Sequence, residues 1–178
     1  MPNAILDPTG RAPTTEDAAV LAQPRATLKG ARVALLANTK QNASLLLEEL
    51  GQLLVSQHGV AEAVPCTKNA FAMPVPEDQL EELASGYDVV VTGVGDCGSC
   101  SASAVADGVL FEQRGIPAAV ICSDAFRVTA DAMAQMRGAS GYHYVTTPHP
   151  VAILNPDEVR KRANEVLPEV VSILTGAG

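Results

Sequence analysis

The 178-residue chain has the length of one domain, and 47% of its residues are hydrophobic, which is enough for a buried core. Its formal net charge of -8 argues against nucleic acid or an anionic membrane as a partner. No apolar stretch reaches the roughly 18 residues that span a bilayer, and the amino terminus lacks the regions of a secretion signal. We therefore expect a cytoplasmic protein whose four cysteines are thiols, with any disulfide transient.

The first 30 residues are rich in proline and show no sustained hydrophobic period. This pattern predicts an extended arm over residues 1–30, with a short helix near Thr15 to Gln23. Such an arm either lies along its own domain or reaches across to a second subunit. Residues 31–178 then form the domain itself.

From residue 31 onward, short β-branched runs alternate with longer segments of helical spacing. The strands are predicted at 32–38, 59–66, 89–92, 118–123 and 143–146, and the helices at 42–57, 76–85, 99–114, 124–137 and 156–174. Five strands alternating with five helices predict a single-domain α/β fold. It is a three-layer sandwich with a parallel, doubly wound, five-stranded sheet, flavodoxin-like with strand order 2-1-3-4-5.

In that strand order, ligands bind beyond the carboxyl ends of strands one and three. The loop after strand one is Asn38-Thr39-Lys40, and the loop after strand three begins at Asp96-Cys97. Lys40 is either a solvated surface charge or a group that binds a substrate carboxylate. Asn38 and Thr39 offer neutral donors to the same anion.

The sequence Gly93-Val94-Gly95-Asp96-Cys97-Gly98-Ser99-Cys100 lies between an apolar strand and an alanine-rich helix. Both cysteines therefore fall in the first helical turn, where the helix terminus stabilises a thiolate and lowers its pKa. A single Cys-x-x-Cys is a poor metal site, so we expect no metal. Cys97 is the predicted nucleophile. Cys100 either resolves an adduct on Cys97 through a disulfide or is a buried small hydrophobe.

Other polar residues are predicted near this motif. Asp96 either caps the helix or acts as a general acid or base. His149 is held between two prolines, and it is an acid or base if it reaches the cleft and a rim residue otherwise. The remaining candidates are hydroxyls near the cap, Ser99 and Ser101, and residues of the rim, Lys68 and Asp124. Cys66 and Cys122 end apolar strands and are expected to be structural.

The segment from Val91 to Phe126 resembles the core of the UGSC family, which is named for a selenocysteine-Gly-Ser-Cys motif. The family is similar to part of the selenoprotein subunit of the glycine reductase group, and Cys97 stands where its selenocysteine would be. Further blocks follow in family order and extend the resemblance over nearly the whole chain: ILDPTG from Ile5, VALLANTKQNASLLLEEL from Val33, KNAFAMPVP from Lys68 and TTPHPVA from Thr146.

The resemblance implies a thiol-dependent oxidoreductase that forms an adduct at Cys97 with a small carboxylate-bearing substrate and cleaves a bond to carbon reductively. It implies no bound prosthetic group, but an external thiol or protein electron donor. Because a thiol is less nucleophilic than a selenol, a weaker carbon–heteroatom bond or a thiol–disulfide reaction is favoured. We also expect a homodimer or association with a second subunit.

Two alternatives stay open at the level of sequence. In the first, Cys97 serves a redox-neutral lyase, transferase or isomerase, and Cys100 is merely packed. In the second, the two cysteines form a non-catalytic redox sensor that regulates a partner.

Overall fold

The structure, a computed structural model, describes residues 18–68 and 72–177. All strand pairs in its five-stranded sheet are parallel, and the order is β2-β1-β3-β4-β5. This confirms the predicted fold and strand order. The strands are β1 (Arg32–Ala37), β2 (Glu62–Thr67), β3 (Val89–Gly95), β4 (Ala118–Ser123) and β5 (Val145–Thr147).

Helices cover both faces of the sheet. They are α1 (Ala43–His58), α2 (Glu77–Gly86), α3 (Gly98–Gln113), α4 (Arg127–Met136) and α5 (Pro156–Thr175), with a short 3-10 turn at Asp124–Phe126 before α4. Because side chains alternate along a strand, Leu35 packs toward α1 and α5, whereas Ala34 and Leu36 pack toward α2 and α3. Among the described residues, no helix combines the length and apolarity needed to cross a bilayer.

The small differences from the predicted boundaries have local causes. Gly59 was predicted to begin the second strand, but it adopts φ 67° as the C-cap of α1 and donates its N–H to the Leu54 carbonyl. This left-handed turn favours glycine and delays the strand to Glu62. The predicted fourth helix is divided, since its first three residues form the 3-10 turn.

The described part of the amino-terminal arm lies along its own domain. Ala19 donates its N–H to the Gly138 carbonyl, and Arg25 donates its N–H to the Leu174 carbonyl. Residues 18–23 contain no helix, so the predicted helix near Thr15 to Gln23 is absent there; its first residues lie outside the described part. The Ala19 N–H, which a helix would direct to its own backbone, is donated to the domain instead.

Strand register brings the carboxyl ends of four strands to one edge of the sheet. Ala37 pairs with Gly93, Gly95 with Cys122, and Ser123 with Thr147. The residues that follow β1, β3 and β5 therefore begin at nearly the same level as the end of β4. The candidates Lys40, Asp96, Cys97 and His149 follow these strands and lie at this edge.

Candidate functional site at the carboxyl edge of the sheet

The Cys97 motif is held by a close contact between β3 and α3. Every residue of β3 is buried. A Cβ added at Gly95 would lie 2.6 Å from the Cys122 sulfur and 2.7 Å from the Ser101 Cα, so a side chain there would push the strand and helix apart. Cys97 is the N-cap of α3, and its sulfur accepts the Cys100 N–H at 3.2 Å. The structure thus places Cys97 at a helix N-terminus, as the sequence predicted.

The two motif cysteines differ in access. Cys97 is partly exposed, whereas Cys100 is fully buried, and the structure joins them in a disulfide with their Cα atoms 5.1 Å apart. A reagent from solvent therefore reaches the Cys97 sulfur first. Ser99 is exposed, with its hydroxyl 3.6 Å from that sulfur, while Ser101 is buried behind Gly95.

The other two thiols have environments that disfavour the thiolate. Burial raises the pKa of the half-buried Cys66. Burial also raises the pKa of Cys122, which is fully enclosed, to about 12. Because the thiolate is the nucleophilic form, neither residue is suited to react at neutral pH.

Asp96 and His149 form a hydrogen-bonded pair next to Cys97. The Asp96 side chain is 1% exposed, and its Oδ1 lies 2.9 Å from the His149 Nδ1. Its Oδ2 accepts the N–H groups of Val151 and Ala152 at 3.0 and 2.9 Å. Burial raises the pKa of Asp96, but the hydrogen bonds from Ala152, Val151, Ser123 and His149 together outweigh this effect, so the pKa is lowered. The residue is therefore a charged carboxylate that orients the imidazole.

His149 is held by β4 and the 3-10 turn as well as by Asp96. The Ser123 hydroxyl lies 3.3 Å from its Nδ1, and the Asp124 carboxylate accepts its backbone N–H at 3.0 Å. The Phe126 ring packs edge-on at 5.2 Å between centroids. The side chain remains 37% exposed, so one edge of the ring is open to solvent.

The loop after β1 is tied to the same centre, chiefly by backbone contacts. Asn38 is buried; its amide donates to the Val94 carbonyl at 3.0 Å and accepts the Lys40 N–H at 3.1 Å. These bonds engage both ends of the Asn38 amide, which we had expected to face a substrate. Thr39 is exposed and Lys40 is partly exposed, so both side chains are accessible to solvent.

Asn42 fixes the loop after β5, a role that was not predicted from the sequence. Its amide nitrogen lies 3.0, 3.3 and 2.9 Å from the carbonyl oxygens of Val151, Ala152 and Leu154. The same loop gives two N–H groups to Asp96. Asn42 has a positive φ of 66°, a conformation in which asparagine is enriched, but no periodic pattern marks this role.

Lys68 is not on the rim where we expected it. Its side chain is 2% exposed, forms an ion pair with Asp107 of α3 and donates to the Ser103 hydroxyl at 2.9 Å. Asp107 also accepts the Val75 N–H at 2.7 Å. This cluster joins the segment after β2 to α3. The Lys68 ammonium is therefore bound to Asp107 and Ser103 inside the protein.

One cavity of the described structure lies at the opposite edge of the sheet from the Cys97 motif. Its volume is about 630 Å³, and it is bordered by the arm, the end of α3 and the segment before β5, including Leu21, Glu112 and Tyr142. A smaller one, of about 450 Å³, lies beside α1. Neither of these two cavities borders the Cys97 motif. Within residues 18–68 and 72–177, no three His, Cys, Asp or Glu side chains group as metal ligands would.

The resemblance inferred from the motif extends to the whole domain. The family model described as the UGSC family matches residues 4–176. No curated protein and no solved structure matches the chain. Since the family match covers nearly the entire sequence and includes the Cys97 motif, the chain belongs to the UGSC family.

Proposed function

We propose that this chain is a thiol-dependent enzyme that reductively cleaves a bond in a small carboxylate-bearing substrate. Cys97 is the nucleophile and Cys100 the resolving thiol. The observation that carries the proposal is the pairing of an accessible Cys97 at a helix N-terminus with a buried Cys100 at disulfide distance, beside Asp96 and His149. A nucleophile, a resolving thiol and an acid–base group are the parts that this chemistry requires.

The reaction has two steps, attack by the Cys97 thiolate and then attack by the Cys100 thiolate. The Cys97 thiolate attacks the substrate and displaces a heteroatom leaving group, forming a carbon–sulfur adduct. The Cys100 thiolate then attacks the Cys97 sulfur, the disulfide forms, and the carbon fragment leaves with the electron pair and takes a proton, for which His149 is the source. An external thiol or protein electron donor returns two electrons and two protons to the disulfide.

Lys40 is the proposed anchor for the substrate carboxylate. It follows β1, next to the Asp96 loop, and α1 begins three residues later. An ammonium and a helix N-terminus together favour an anion. The cytoplasmic location, a homodimer or second subunit, and the absence of a bound prosthetic group remain part of the same proposal.

A redox-neutral lyase, transferase or isomerase is the second candidate, and the Asp96–His149 pair favours it. The 2.9 Å bond between carboxylate and imidazole is the arrangement that orients a general base, and Asp96 directly precedes Cys97 in the chain. Such an enzyme needs no resolving thiol. The role of Cys100 therefore separates the two candidates.

The test is intact-protein mass spectrometry of the reduced protein after incubation with small carboxylates that carry a heteroatom leaving group. We expect an adduct on Cys97 that is transient in the wild type, absent in Cys97→Ser and trapped in Cys100→Ser. Cys66→Ser is the matched control and should behave as wild type. Full turnover by Cys100→Ser would contradict the two-thiol mechanism and support the redox-neutral enzyme.

A further inference from the structure

Ser123 is a buried hydroxyl that contacts His149, although the sequence analysis gave it no role. It is the last residue of β4 and is fully enclosed. Its oxygen lies 3.1 Å from the Gly95 carbonyl and 3.3 Å from the His149 Nδ1. It therefore links Gly95, the last residue of β3, to the His149 ring, which Asp96 also contacts.

The direction of these hydrogen bonds is fixed by the number of protons. A serine hydroxyl has one proton, and the Gly95 carbonyl and the Asp96 carboxylate, which can only accept, are the two groups that take it. Toward His149, Ser123 can then only accept. The Asp96 carboxylate, 2.9 Å from the same Nδ1, also only accepts. Both neighbours of Nδ1 are acceptors, and this nitrogen must carry the hydrogen.

We propose that Ser123 is a positioning residue which, together with Asp96, fixes neutral His149 in the Nδ1–H tautomer and leaves Nε2 as the atom that accepts and returns protons. This inference extends the proposed function. It rests on that function for the claim that Nε2 transfers a proton during the reaction. The main chain supports the same orientation, because the Asp124 carboxylate accepts the His149 N–H at 3.0 Å. The ring is thus held from β3, β4 and the 3-10 turn.

The charges around the ring are compatible with this assignment. Two carboxylates, Asp96 and Asp124, contact His149 at its Nδ1 and at its backbone N–H. The Arg162 guanidinium of α5 donates to the Pro148 carbonyl at 2.6 Å, and Arg127 of α4 contacts Thr146 at 3.4 Å. Both cations are therefore directed at the segment before the ring, while Asp96 faces Nδ1 itself.

The tautomer is tested directly in the wild-type protein. Nitrogen NMR of reduced, 15N-histidine-labelled protein is followed through its titration to the alkaline limit, and His149→Gln assigns the resonances among the three histidines. We expect a protonated Nδ1 and an unprotonated Nε2. A protonated Nε2 at the alkaline limit would overturn the assignment. The spectrum needs no substrate, so its result is independent of whether Cys97 forms an adduct.

The part played by Ser123 is tested by substitution. Ser123→Ala should lower the rate of Cys97 alkylation at neutral pH by about 3- to 10-fold, the contribution of one ordinary hydrogen bond, and should move its pH midpoint. Ser123→Thr, which keeps the hydroxyl, should restore both. An unchanged rate and midpoint in a folded Ser123→Ala would show that Asp96 alone orients the ring and would overturn the role of Ser123. If neither variant folds, the wild-type spectrum still decides the tautomer.

Discussion

Replacing Lys68 with methionine should destabilise the protein strongly, because the substitution leaves a buried carboxylate without its counter-ion. The Lys68 and Asp107 side chains are 2% and 1% exposed and form an ion pair. Burial raises the pKa of Asp107 even with Lys68 beside it. In Lys68→Met, this pKa should rise further, since the positive charge that opposes the effect of burial is gone.

The expected cost follows from the class of interaction. Removing one member of a buried ion pair typically costs about 3–5 kcal/mol. In Lys68→Met/Asp107→Asn the buried charge is also removed. The asparagine carbonyl can still accept the Val75 N–H, which in the wild type lies 2.7 Å from Asp107 Oδ1. The double variant should therefore recover a large part of the loss, with a coupling energy of about 1–3 kcal/mol between the two sites.

Urea unfolding followed by circular dichroism measures these differences at pH 7 and pH 5. Because the folded-state pKa of Asp107 is raised, the carboxylate penalty is present at high pH and is lost as the pH falls through that value, so Lys68→Met should be less defective at pH 5. The control is Lys161→Met, an exposed lysine in an i,i+4 pair, which should change stability by less than about 0.5 kcal/mol. If Lys68→Met lowers the free energy of unfolding by less than about 1 kcal/mol, the buried ion pair is contradicted. The original prediction of Lys68 as a substrate-binding residue of the rim would then be favoured.

Three further predictions concern other parts of the chain. Burial raises the pKa of Glu112 to about 7, so its contribution to stability should become less favourable as the pH rises from 5 to 8; Glu112→Gln, in urea unfolding, should remove this contribution and gain roughly 1–2 kcal/mol at pH 8, allowing for solvent screening of a partly exposed group. Lys40→Met should weaken substrate affinity by about ten- to a hundredfold without a change in melting temperature, as expected for a charge-assisted hydrogen bond; unchanged affinity would make Lys40 a surface charge. Asn155→Ala should cost about 1 kcal/mol in urea unfolding, because it removes the capping box with Glu158 at the start of α5; a cost near zero would contradict that role.

The fold could be predicted from sequence because its signals are local. Continuous apolar runs such as the one predicted at 89–92 alternate with helices of clear period, and that alternation determines a parallel sheet with few choices of order. The N-terminal position of Cys97 followed from the same strand, turn and helix pattern. The boundaries were less predictable: Gly59 delays the start of β2, β3 continues to Gly95, and β5 begins at Val145.

The site was predictable only in part, because its contacts depend on backbone groups far apart in sequence. Asp96 and His149 were each predicted, but their bond joins residues 53 apart, and β5 is two strands from the switch point. The loop after β5 reaches Asp96 because Asn42 holds its carbonyls and Asp96 holds its N–H groups. Sequence periodicity carries no information about such bonds.

Lys68 shows a different limit. A lysine after a strand ordinarily faces solvent, and its burial depends on Asp107, a carboxylate enclosed in the middle of α3. The one available signal was that aspartate, which interrupts an otherwise apolar and small-residue helix between Ala106 and Gly108. A buried acid at such a position requires a partner, but sequence alone does not specify which cation supplies it.

The reactivity of Cys97 is the central claim, and site-resolved alkylation of the fully reduced protein tests it most directly. The protein is treated with iodoacetamide across a range of pH, and modification of each cysteine is followed by peptide mass spectrometry. We expect Cys97 to react first, with a pH midpoint below that of free cysteine, which is about 8.5, because its sulfur is accessible and sits at the N-terminus of α3. Labelling led by Cys66 or Cys122, or a Cys97 midpoint at or above that of free cysteine, would contradict the account.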